Sequence, residues 1–469
     1  MTMTARRRRT TDRLLAAAIA VVVAAVGVVV YLTSDNRATT DATGPQVPPP
    51  SAASVAPTTL RQAWTAATDP SLGAVASPSG VVVTTDRHAV TAHDAVTGAV
   101  RWSYTRSNRD LCAVGSGDTD DQPVDQGSGV RGIATVYAEN GFCSQLMTLD
   151  PVTGSRSKVR TSPLPLGGSL VFGGPYAGWL SPTLVEVWRN DLVRTIQYGV
   201  QPNPTNPSSS HLGCTFTDLA LAETQFATVE HCAAQGATAR VVLNFDDPGA
   251  QKPKDWDQFK HTARMDVDTR SPAAVIVGVT PDRVAVLVSA PSPAVVVYDA
   301  AGTAVSRTAV EVPAAEITAA AAQGRPLPAV QTPSGRISLV GSHLVAVTFE
   351  SVQGPAPSTA LTTPTSATAS SGVLPTSGAP AADVTLRSVR VAWVGGSALG
   401  LPAVVGDDVL IPVRDGLQVA DLAGGPSALG AAGGRVVAVN RGGWTGRTDA
   451  AAVGALVVET RGPTVVALR

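Results

Sequence analysis

The sequence predicts an all-β fold, a β-propeller of seven or eight four-stranded blades with eight preferred, preceded by one transmembrane helix. The clearest blade unit runs from Gly80 to Trp102, where three short strands rich in β-branched residues are separated by two tight turns. Comparable units recur along the chain, and a meander of short strands with recurring Gly and aromatic residues is typical of propeller blades. The chain is also rich in Gly (44 residues) and Pro (35 residues), which suits many short strands and turns.

A motif in this unit resembles the repeat of quinoprotein-type, or PQQ-like, β-propellers. Its five positions are Ala92, Asp94, Thr97, Gly98 and Trp102. The resemblance implies that the Asp and the Thr-Gly turn fix the corner between the third and fourth strands, and that the Trp packs between neighbouring blades. The segment Leu149–Gly154 keeps the turn but lacks the Trp, and Val297–Gly302 keeps the Asp and the Gly. The alternative is a single β-hairpin in another all-β fold.

Length and charge limit the classes of function. A chain of 469 residues can hold two or three ordinary domains or one large repeat fold. Its formal net charge of −1 offers no basic surface for nucleic acid. Arg greatly outnumbers Lys, which indicates a GC-rich genome of an actinobacterial kind.

The N-terminal segment predicts a membrane anchor. Residues 1–13 form a basic tail that contains Arg6–Arg9 and Arg13, and the uncharged apolar run Leu14–Leu32 follows it. As a helix, this run is long enough to span a hydrocarbon core of about 30 Å. Because cationic flanks stay in the cytoplasm, we expect a single-pass protein of the cell membrane with a cytoplasmic N-terminus and an extracytoplasmic propeller. A cleaved signal peptide is the alternative.

Two segments have a composition that disfavours folding. Residues 33–59 are rich in Thr, Ala and Pro, and we expect a disordered stalk there, either a glycosylated spacer or a plain tether. The propeller is then expected over 60–469, with a Ser/Thr/Pro-rich insertion at 353–382 that has no charged residue. We expect this insertion to be a disordered, solvated loop, with O-glycosylation as an open alternative.

Eight strand-rich units fit between Leu60 and Arg469, and the last unit is predicted to use both ends of the propeller domain. Thr464–Leu468 would be its third strand, and Leu60–Thr65 would supply its outer strand and close the ring. In the fourth unit, we expect the outer strand around Trp256.

The sixth unit is less regular. We expect it to open with Ile337–Val340 and to finish with Val384–Val389 and Val391–Val394, beyond the insertion. A short helix of one or two turns is expected at Pro313–Gln323.

Four cysteines lie in the part predicted to be extracytoplasmic, where disulfides persist. They are Cys112, Cys143, Cys214 and Cys232. Three pairings are possible, and we prefer the sequential one because it keeps each bridge inside one blade. The alternative for the second pair is a zinc site. Its ligands would be His211, Cys214, His231 and Cys232. Adjacent His and Cys residues chelate one tetrahedral ion poorly, so we expect no metal site.

Other chemical signals are weak. An acidic loop lacks the regular spacing of a calcium-binding loop, and we expect it to be solvated. It contains Asp118, Asp120, Asp121 and Asp125. A dinucleotide-type glycine pattern precedes a strand and not a helix, so it presents no helix N-terminus to a phosphate. It consists of Gly127, Gly129 and Gly132. His88 and His93 are expected to be ordinary surface or core residues.

The sequence contains no recognisable catalytic constellation. Quinoprotein dehydrogenases use two adjacent cysteines and a calcium ion, and this chain has neither a Cys-Cys dipeptide nor a Cys-x-x-Cys-His haem motif. We therefore expect no enzyme activity and no cofactor. The expected function is a membrane-tethered, protein-binding or assembly scaffold of the cell envelope, whose partner is an unknown envelope protein or peptide. The alternative is a quinone-dependent dehydrogenase or a small-ligand sensor that uses the propeller centre.

Overall fold

The computed structural model describes residues 2–32, 34–117, 132–201, 211–245, 265–354, 384–422 and 435–469. Within these ranges the chain forms eight antiparallel sheets, which are the blades of a β-propeller. The predicted fold class is confirmed, and the blades number eight. Neighbouring blades touch largely through their inner strands, and the ring closes where the inner strand of blade 8 contacts that of blade 1.

The first two strands of the chain, β1 (Thr39–Ala42) and β2 (Gln62–Ala67), join blades 1 and 8. From the inner edge outward, blade 1 continues with β3 (Val75–Ser77), β4 (Val81–Thr85), β5 (Ala89–Asp94) and β6 (Val100–Arg106). Blade 2 contains β7 (Leu111–Ser116), β8 (Ile133–Glu139), β9 (Phe142–Leu149) and β10 (Arg156–Thr161). Blade 3 contains β11 (Ser169–Gly173), β12 (Tyr176–Leu180), β13 (Leu184–Arg189) and β14 (Arg194–Gly199). Blade 4 contains β15 (Cys214–Leu221), β16 (Gln225–Cys232), β17 (Arg240–Phe245) and β18 (Met265–Asp268).

The second half of the ring repeats this plan. Blade 5 contains β19 (Ala274–Val279), β20 (Arg283–Val288), β21 (Ala294–Asp299) and β22 (Ala304–Ala309). Blade 6 contains β23 (Ala329–Thr332), β24 (Gly335–Val340), β25 (His343–Gly354) and β26 (Val384–Gly395). Blade 7 contains β27 (Ala403–Val405), β28 (Asp408–Val413), β29 (Gly416–Asp421) and β30 (Val436–Ala438). Blade 8 contains β31 (Thr448–Val453), β32 (Leu456–Arg461) and β33 (Thr464–Leu468), followed at its outer edge by β2.

Helices are few among the described residues. The helix α1 (Thr2–Leu32) is exposed along its apolar length and is long and apolar enough to cross a membrane. The helix α2 (Asp35–Ala38) follows it, and a 3₁₀ turn covers Ala233–Gln235. The helix α3 (Ala314–Ala322) lies within the helical segment predicted there, and it buries Ile317 and Ala321 against the core between blades 5 and 6.

Blade 6 differs from the sequence-based expectation at both of its edges. It begins with β23, a four-residue strand between two prolines, so Ile337–Val340 belongs to its second strand. A short strand bounded by proline gives a weak sequence signal. The long strands β25 and β26 pair over their whole length, which places Gln353 and Gly354 in a strand and merges the two segments expected after the insertion. The rest of the expected insertion lies outside the described ranges.

The outer strand of blade 4 also differs from the expectation. It is β18, whereas the segment around Trp256 falls outside the described ranges. In β18 the apolar Met265 and Val267 alternate with Asp266 and Asp268. This alternation is typical of a half-buried strand, but it extends over only four residues.

The segment 33–59 departs from the predicted disordered stalk. The strand β1 pairs with β6 and becomes a fifth strand of blade 1. Just before it, Asp35 accepts hydrogen bonds from Arg109 Nη2 at 2.7 Å and from Asn108 Nδ2 at 2.8 Å, and its Oδ2 lies 3.1 Å from Arg106 Nη2. An open sheet edge and two arginines that contact the Asp35 carboxylate therefore hold this segment, and its composition does not reveal either.

The proline-rich part of the same segment runs along the propeller as far as blades 7 and 8. The amide of Gly44 donates to Thr153 O at 2.9 Å, and that of Ala53 donates to Gly454 O at 3.3 Å. The amide of Ala56 donates to Asp408 Oδ2 at 2.9 Å, and Ala56 is buried. Prolines remove amides that would need partners, so a few such bonds are enough to fix an extended chain on a surface.

The recurring turn motif fixes how neighbouring blades meet. In blade 1 the carboxylate oxygen Asp94 Oδ1 accepts from the amides of Val96 and Thr97 and from the Thr97 hydroxyl, at 2.8 to 3.0 Å. Asp150 makes the same three bonds in blade 2. The turn ends at a glycine with positive φ, Gly98 or Gly154, where a side chain would be strained and would strike a tryptophan ring of the preceding blade.

Those tryptophans join blade to blade. Trp102 of blade 1 lies against Gly154 of blade 2 and donates from Nε1 to Pro151 O at 2.9 Å. Trp64 of blade 8 lies against Gly98 of blade 1 and donates from Nε1 to Ala95 O at 2.8 Å. An indole donor paired with a turn carbonyl removes the cost of burying the N–H group. The Trp therefore packs between neighbouring blades, as the family resemblance implies.

The ring closes through the two ends of the propeller. The strand β2 pairs antiparallel with β33, with Thr65 opposite Val466 and Ala67 opposite Thr464. This pairing covers an edge of blade 8 that would otherwise expose unpaired backbone groups. It matches the closure predicted from the sequence.

We expect the substitution Trp102→Ala to lower the free energy of unfolding by about 3–5 kcal/mol, because Trp102 is 1% exposed and its loss leaves a cavity between blades 1 and 2. Val100→Ala on the same strand is the matched control. Val100 is 61% exposed, so its change should stay within about 0.5 kcal/mol. Urea denaturation of the full chain in detergent measures both. Equal effects would contradict the role assigned to the tryptophan.

Candidate functional site

A cleft opens between blades 7 and 8, beside the closing strand pair. We call it the closure cleft, and its volume is about 940 Å³. One wall comes from β2, β33 and the residue before each, and the other comes from the connection between β30 and β31. Its polar and aromatic lining is formed by Arg61, Gln62, Thr65, Asn440, Arg441, Trp444, Arg461 and Thr464.

The closing strands position the first arginine of the cleft. The amide of Arg61 donates to Arg469 O and the amide of Arg469 donates to Arg61 O, both at 2.8 Å. These two bonds extend the β2–β33 ladder by one residue pair. They fix the backbone of Arg61 at the mouth of the cleft, and its side chain is exposed.

A glycine turn presents the aromatic residue of the cleft. Gly442 and Gly443 both have positive φ, at 57° and 84°, and the Gly442 amide donates to Asn440 Oδ1 at 2.9 Å. The amide of Trp444 donates to Arg441 O at 3.0 Å and completes the turn. The indole is 36% exposed and rests against Gly462, a position where a Cβ atom would approach the ring to 2.8 Å.

Two arginines that line the cleft share a buried carboxylate. Glu459 is fully buried, and its Oε1 lies 2.7 Å from Arg441 Nη2. Its Oε2 accepts from Arg441 Nε at 3.1 Å and from Arg461 Nε at 2.7 Å. Arg441 also donates to the carbonyls of Val413 and Gly416 in blade 7, which ties the two blades together. A buried charge is tolerated when it is paired and hydrogen-bonded in this way.

The positive charge of this cluster exceeds the negative charge. Arg461 is 7% exposed, and its Nη2 has no aligned hydrogen-bond acceptor although it lies 2.6 Å from Glu459 Oε2. Arg441 and Arg461 share the single carboxylate of Glu459, and Arg61 adds a third guanidinium group to the lining of the cleft. A concave site with surplus guanidinium groups and an exposed indole is suited to bind carboxylate groups next to an aromatic or apolar side chain.

A second pair of buried charged residues, Asp218 and Arg336, lies where blades 4, 5 and 6 meet. Asp218 on β15 accepts from the amides of Ile276 at 2.7 Å and Leu327 at 3.2 Å. Burial raises the pKa of Asp218, and burial lowers the pKa of Arg336 nearby. The contacts link the inner strands of blades 4 and 5 to the loop before blade 6, so we assign this pair a structural role.

The structure contains both sequential disulfides. Cys112 on β7 is joined to Cys143 on β9, and Cys214 on β15 is joined to Cys232 on β16. Each bridge stays inside one blade. Neither lies in the closure cleft.

The remaining candidates also lie away from the cleft. The motif residues sit at the contacts between blades 8, 1 and 2. His88 Nδ1 is 2.9 Å from Arg109 O, and His93 contacts Gly98 O and Thr84 Oγ1, so both rings have structural partners. The acidic loop and two of the three glycines of the dinucleotide-like pattern lie outside the described ranges.

The closure cleft does not follow from any of the motifs predicted from the sequence. The segment Asn440-Arg441-Gly442-Gly443-Trp444 was the available signal, since a glycine pair before a tryptophan indicates a turn that exposes an aromatic ring. Arg61 is distant in sequence and joins this lining only through the closing strand, while Glu459 lies 18 residues after Arg441 on the next blade.

No family model matches the chain, and no curated protein matches it. Among solved structures, BamB from Moraxella catarrhalis is 13% identical over 87% of this chain and 99% of that chain, with a TM-score of 0.41. The C-terminal WD40 domain of Sif2 is 9% identical over 87% and 98%, with a TM-score of 0.46. Quinohemoprotein alcohol dehydrogenase from Comamonas testosteroni is 14% identical over 88% and 76%, with a TM-score of 0.43. At these values the similarity concerns only the fold.

We expect Glu459→Gln to destabilise the protein by about 3–5 kcal/mol, because it leaves the buried arginines without their counter-charge. Glu350→Gln is the control. Glu350 forms an exposed pair with Arg390, with side chains 45% and 69% exposed, and its loss should cost about 0–1 kcal/mol. Urea denaturation compares the two variants, and a Glu459→Gln protein as stable as the control would refute the charge balance described for the cleft.

Proposed function

We propose that this protein is a membrane-tethered, extracytoplasmic β-propeller that binds an acidic segment of another envelope protein in the closure cleft. The observation that carries the proposal is the surplus of guanidinium groups around Glu459, next to the exposed ring of Trp444. Hydrogen bonds from guanidinium to carboxylate are among the stronger polar contacts. Tryptophan and arginine are also the residues that most often dominate the affinity of protein interfaces.

The shape of the cleft favours a peptide segment over a flat protein surface. Its volume of about 940 Å³ is sufficient for several side chains. An extended acidic segment can place one carboxylate near Arg461 and another near Arg61, with an apolar side chain against the indole. The described residues offer no specific observation in favour of the quinone-dependent or small-ligand alternative.

Three observations support the proposed location. The helix α1 is of membrane-spanning length, and its apolar side chains are exposed. The arginine cluster Arg6–Arg9 precedes its apolar run Leu14–Leu32, which favours a cytoplasmic N-terminus. The propeller carries two disulfides, which persist in oxidising compartments.

A reporter that is active only in the cytoplasm, fused after Arg469, should therefore be silent in cells. The control is the same fusion without Leu14–Leu32, which should be active because the propeller then stays inside. A strong signal from the intact fusion would refute the topology without affecting the chemistry assigned to the cleft.

Binding is tested with a fluorescent peptide that contains several Glu residues and one Trp, added to the full chain in detergent. We expect Arg61→Glu and Trp444→Ala each to weaken the complex. Loss of one charge-assisted hydrogen bond, about 1.5–3 kcal/mol, corresponds to a roughly ten- to hundredfold higher Kd. The matched control is Arg307→Glu on the exposed outer strand of blade 5, which should leave the Kd unchanged.

Three outcomes would contradict this binding mode. The first is failure of the acidic peptide to bind at all. The second is an equal loss of affinity in Arg61→Glu and in the control variant. The third is tight binding of polyphosphate together with no binding of the peptide, which would indicate an anionic polymer and not a protein as the partner.

A further inference from the structure

Blade 4 contains a cluster of four potential metal ligands around one of the disulfides. They are His211, Cys214, Glu230 and Cys232. Cys214 and Cys232 lie directly opposite each other on β15 and β16, and their sulfur atoms are bonded. The donor atoms of all four residues lie within 4.8 Å of one another. This is the one such group among the described residues.

The imidazole and the carboxylate are already in contact with each other and with the sulfur. His211 Nδ1 lies 2.7 Å from Glu230 Oε1, and Cys232 Sγ lies 3.6 Å from the same oxygen. Glu230 is fully buried, while His211 is only partly so, which leaves an approach from solvent on the histidine side.

A neighbouring tyrosine orients this pair. Tyr198 donates its hydroxyl to the other carboxylate oxygen, Glu230 Oε2, at 3.2 Å. Its ring lies 4.5 Å from the ring of His211. Burial raises the pKa of Tyr198, so it remains a hydrogen-bond donor. A donor behind a ligating carboxylate is a common feature of metal sites because it fixes the orientation of the ligand.

The ligand set differs from the zinc alternative considered for the sequence. Side chains alternate across a strand, so Glu230 and Cys232 share one face of β16 and His231 lies on the opposite face. Glu230 therefore replaces His231. The difficulty of chelation by adjacent residues no longer applies, since Glu230 and Cys232 are two positions apart.

We propose that reduction of the Cys214–Cys232 disulfide converts this cluster into a zinc site with two sulfur ligands, one nitrogen ligand and one oxygen ligand. A dithiol reductant supplies two electrons and two protons, breaks the S–S bond and leaves as its own disulfide. Binding of Zn²⁺ then releases the two thiol protons and forms two Zn–S bonds. Four ligands of these types match the tetrahedral preference of zinc. The disulfide and the metal are mutually exclusive states of the same sulfur atoms.

The other disulfide provides the matched control within the same chain. Cys143 packs among apolar residues that include Leu146, Leu164 and Trp188. Among the residues that the structure describes, no group of His, Asp or Glu of metal-binding spacing surrounds the Cys112–Cys143 bridge. Reduction of that bridge therefore creates two thiols without further ligands.

The test uses the full chain in detergent with the substitutions Cys112→Ser and Cys143→Ser, so that only the blade 4 cysteines remain. This protein is treated with a phosphine reductant and titrated with Co²⁺, whose d–d absorption reports tetrahedral sulfur coordination, and then with Zn²⁺. We expect one equivalent of metal to bind the reduced protein, none to bind the oxidised protein, and Zn²⁺ to protect both thiols from alkylation. His211→Ala and Glu230→Gln should each lower the affinity at least about tenfold.

Far-UV circular dichroism of the reduced sample checks that the propeller stays folded. The control variant Cys214→Ser/Cys232→Ser, which keeps only the blade 2 cysteines, should bind no metal even when reduced. The proposal is overturned if the reduced protein binds no cobalt, or if the affinity is unchanged by both His211→Ala and Glu230→Gln. Binding that appears only after the circular dichroism signal of the strands is lost would also overturn it, because the metal would then be captured by an unfolded chain.

Discussion

Antiparallel pairing of Gln62–Ala67 with Thr464–Leu468 is the interaction on which the rest of the structure depends. A propeller blade has exposed edges unless its neighbours and its own outer strand cover them. Here the outer strand of the last blade comes from the start of the domain, so the ring closes through residues about 400 positions apart. Trp64 on that strand then contacts Gly98 of blade 1. The strand therefore completes the sheet of blade 8 and also joins blade 8 to blade 1.

The closure also creates the cleft that we propose as the binding site. Arg61 sits immediately before the closing strand, while Glu459 and Arg461 sit at the end of the strand next to β33. Arg441 reaches from blade 7 and shares the carboxylate of Glu459 with Arg461. Removal of one partner from such a buried charge cluster is strongly destabilising because it leaves an uncompensated buried charge. The charges thus fix how blades 7 and 8 meet and leave guanidinium groups available for an acidic partner.

Features that carry a recognisable sequence signature could be predicted, and features without one could not. The blade 1 strands follow from their period-two pattern of apolar residues. The closing strand follows from Trp64, which occupies the same outer-strand position as Trp102. Both disulfides follow from the spacing of the cysteines. The docking of Asp35–Ala42 on blade 1 was not predicted, because polar, proline-rich composition says nothing about an open sheet edge elsewhere. Strand alternation alone could have indicated that Glu230, and not His231, lies on the same face of its strand as Cys232. The closure cleft was not, since Arg61 joins Arg441 and Arg461 in one lining only when the closing strand is paired.

Amide hydrogen exchange of the full-length protein, followed by mass spectrometry, tests the closure most directly. If Gln62–Ala67 is the outer strand of blade 8, its amides should be as strongly protected as those of Thr464–Leu468, and the two peptides should lose protection together as denaturant is added. If Gln62–Ala67 instead exchanges at the rate of an unstructured peptide while Thr464–Leu468 remains protected, the ring is not closed by this strand and the cleft built on it does not exist.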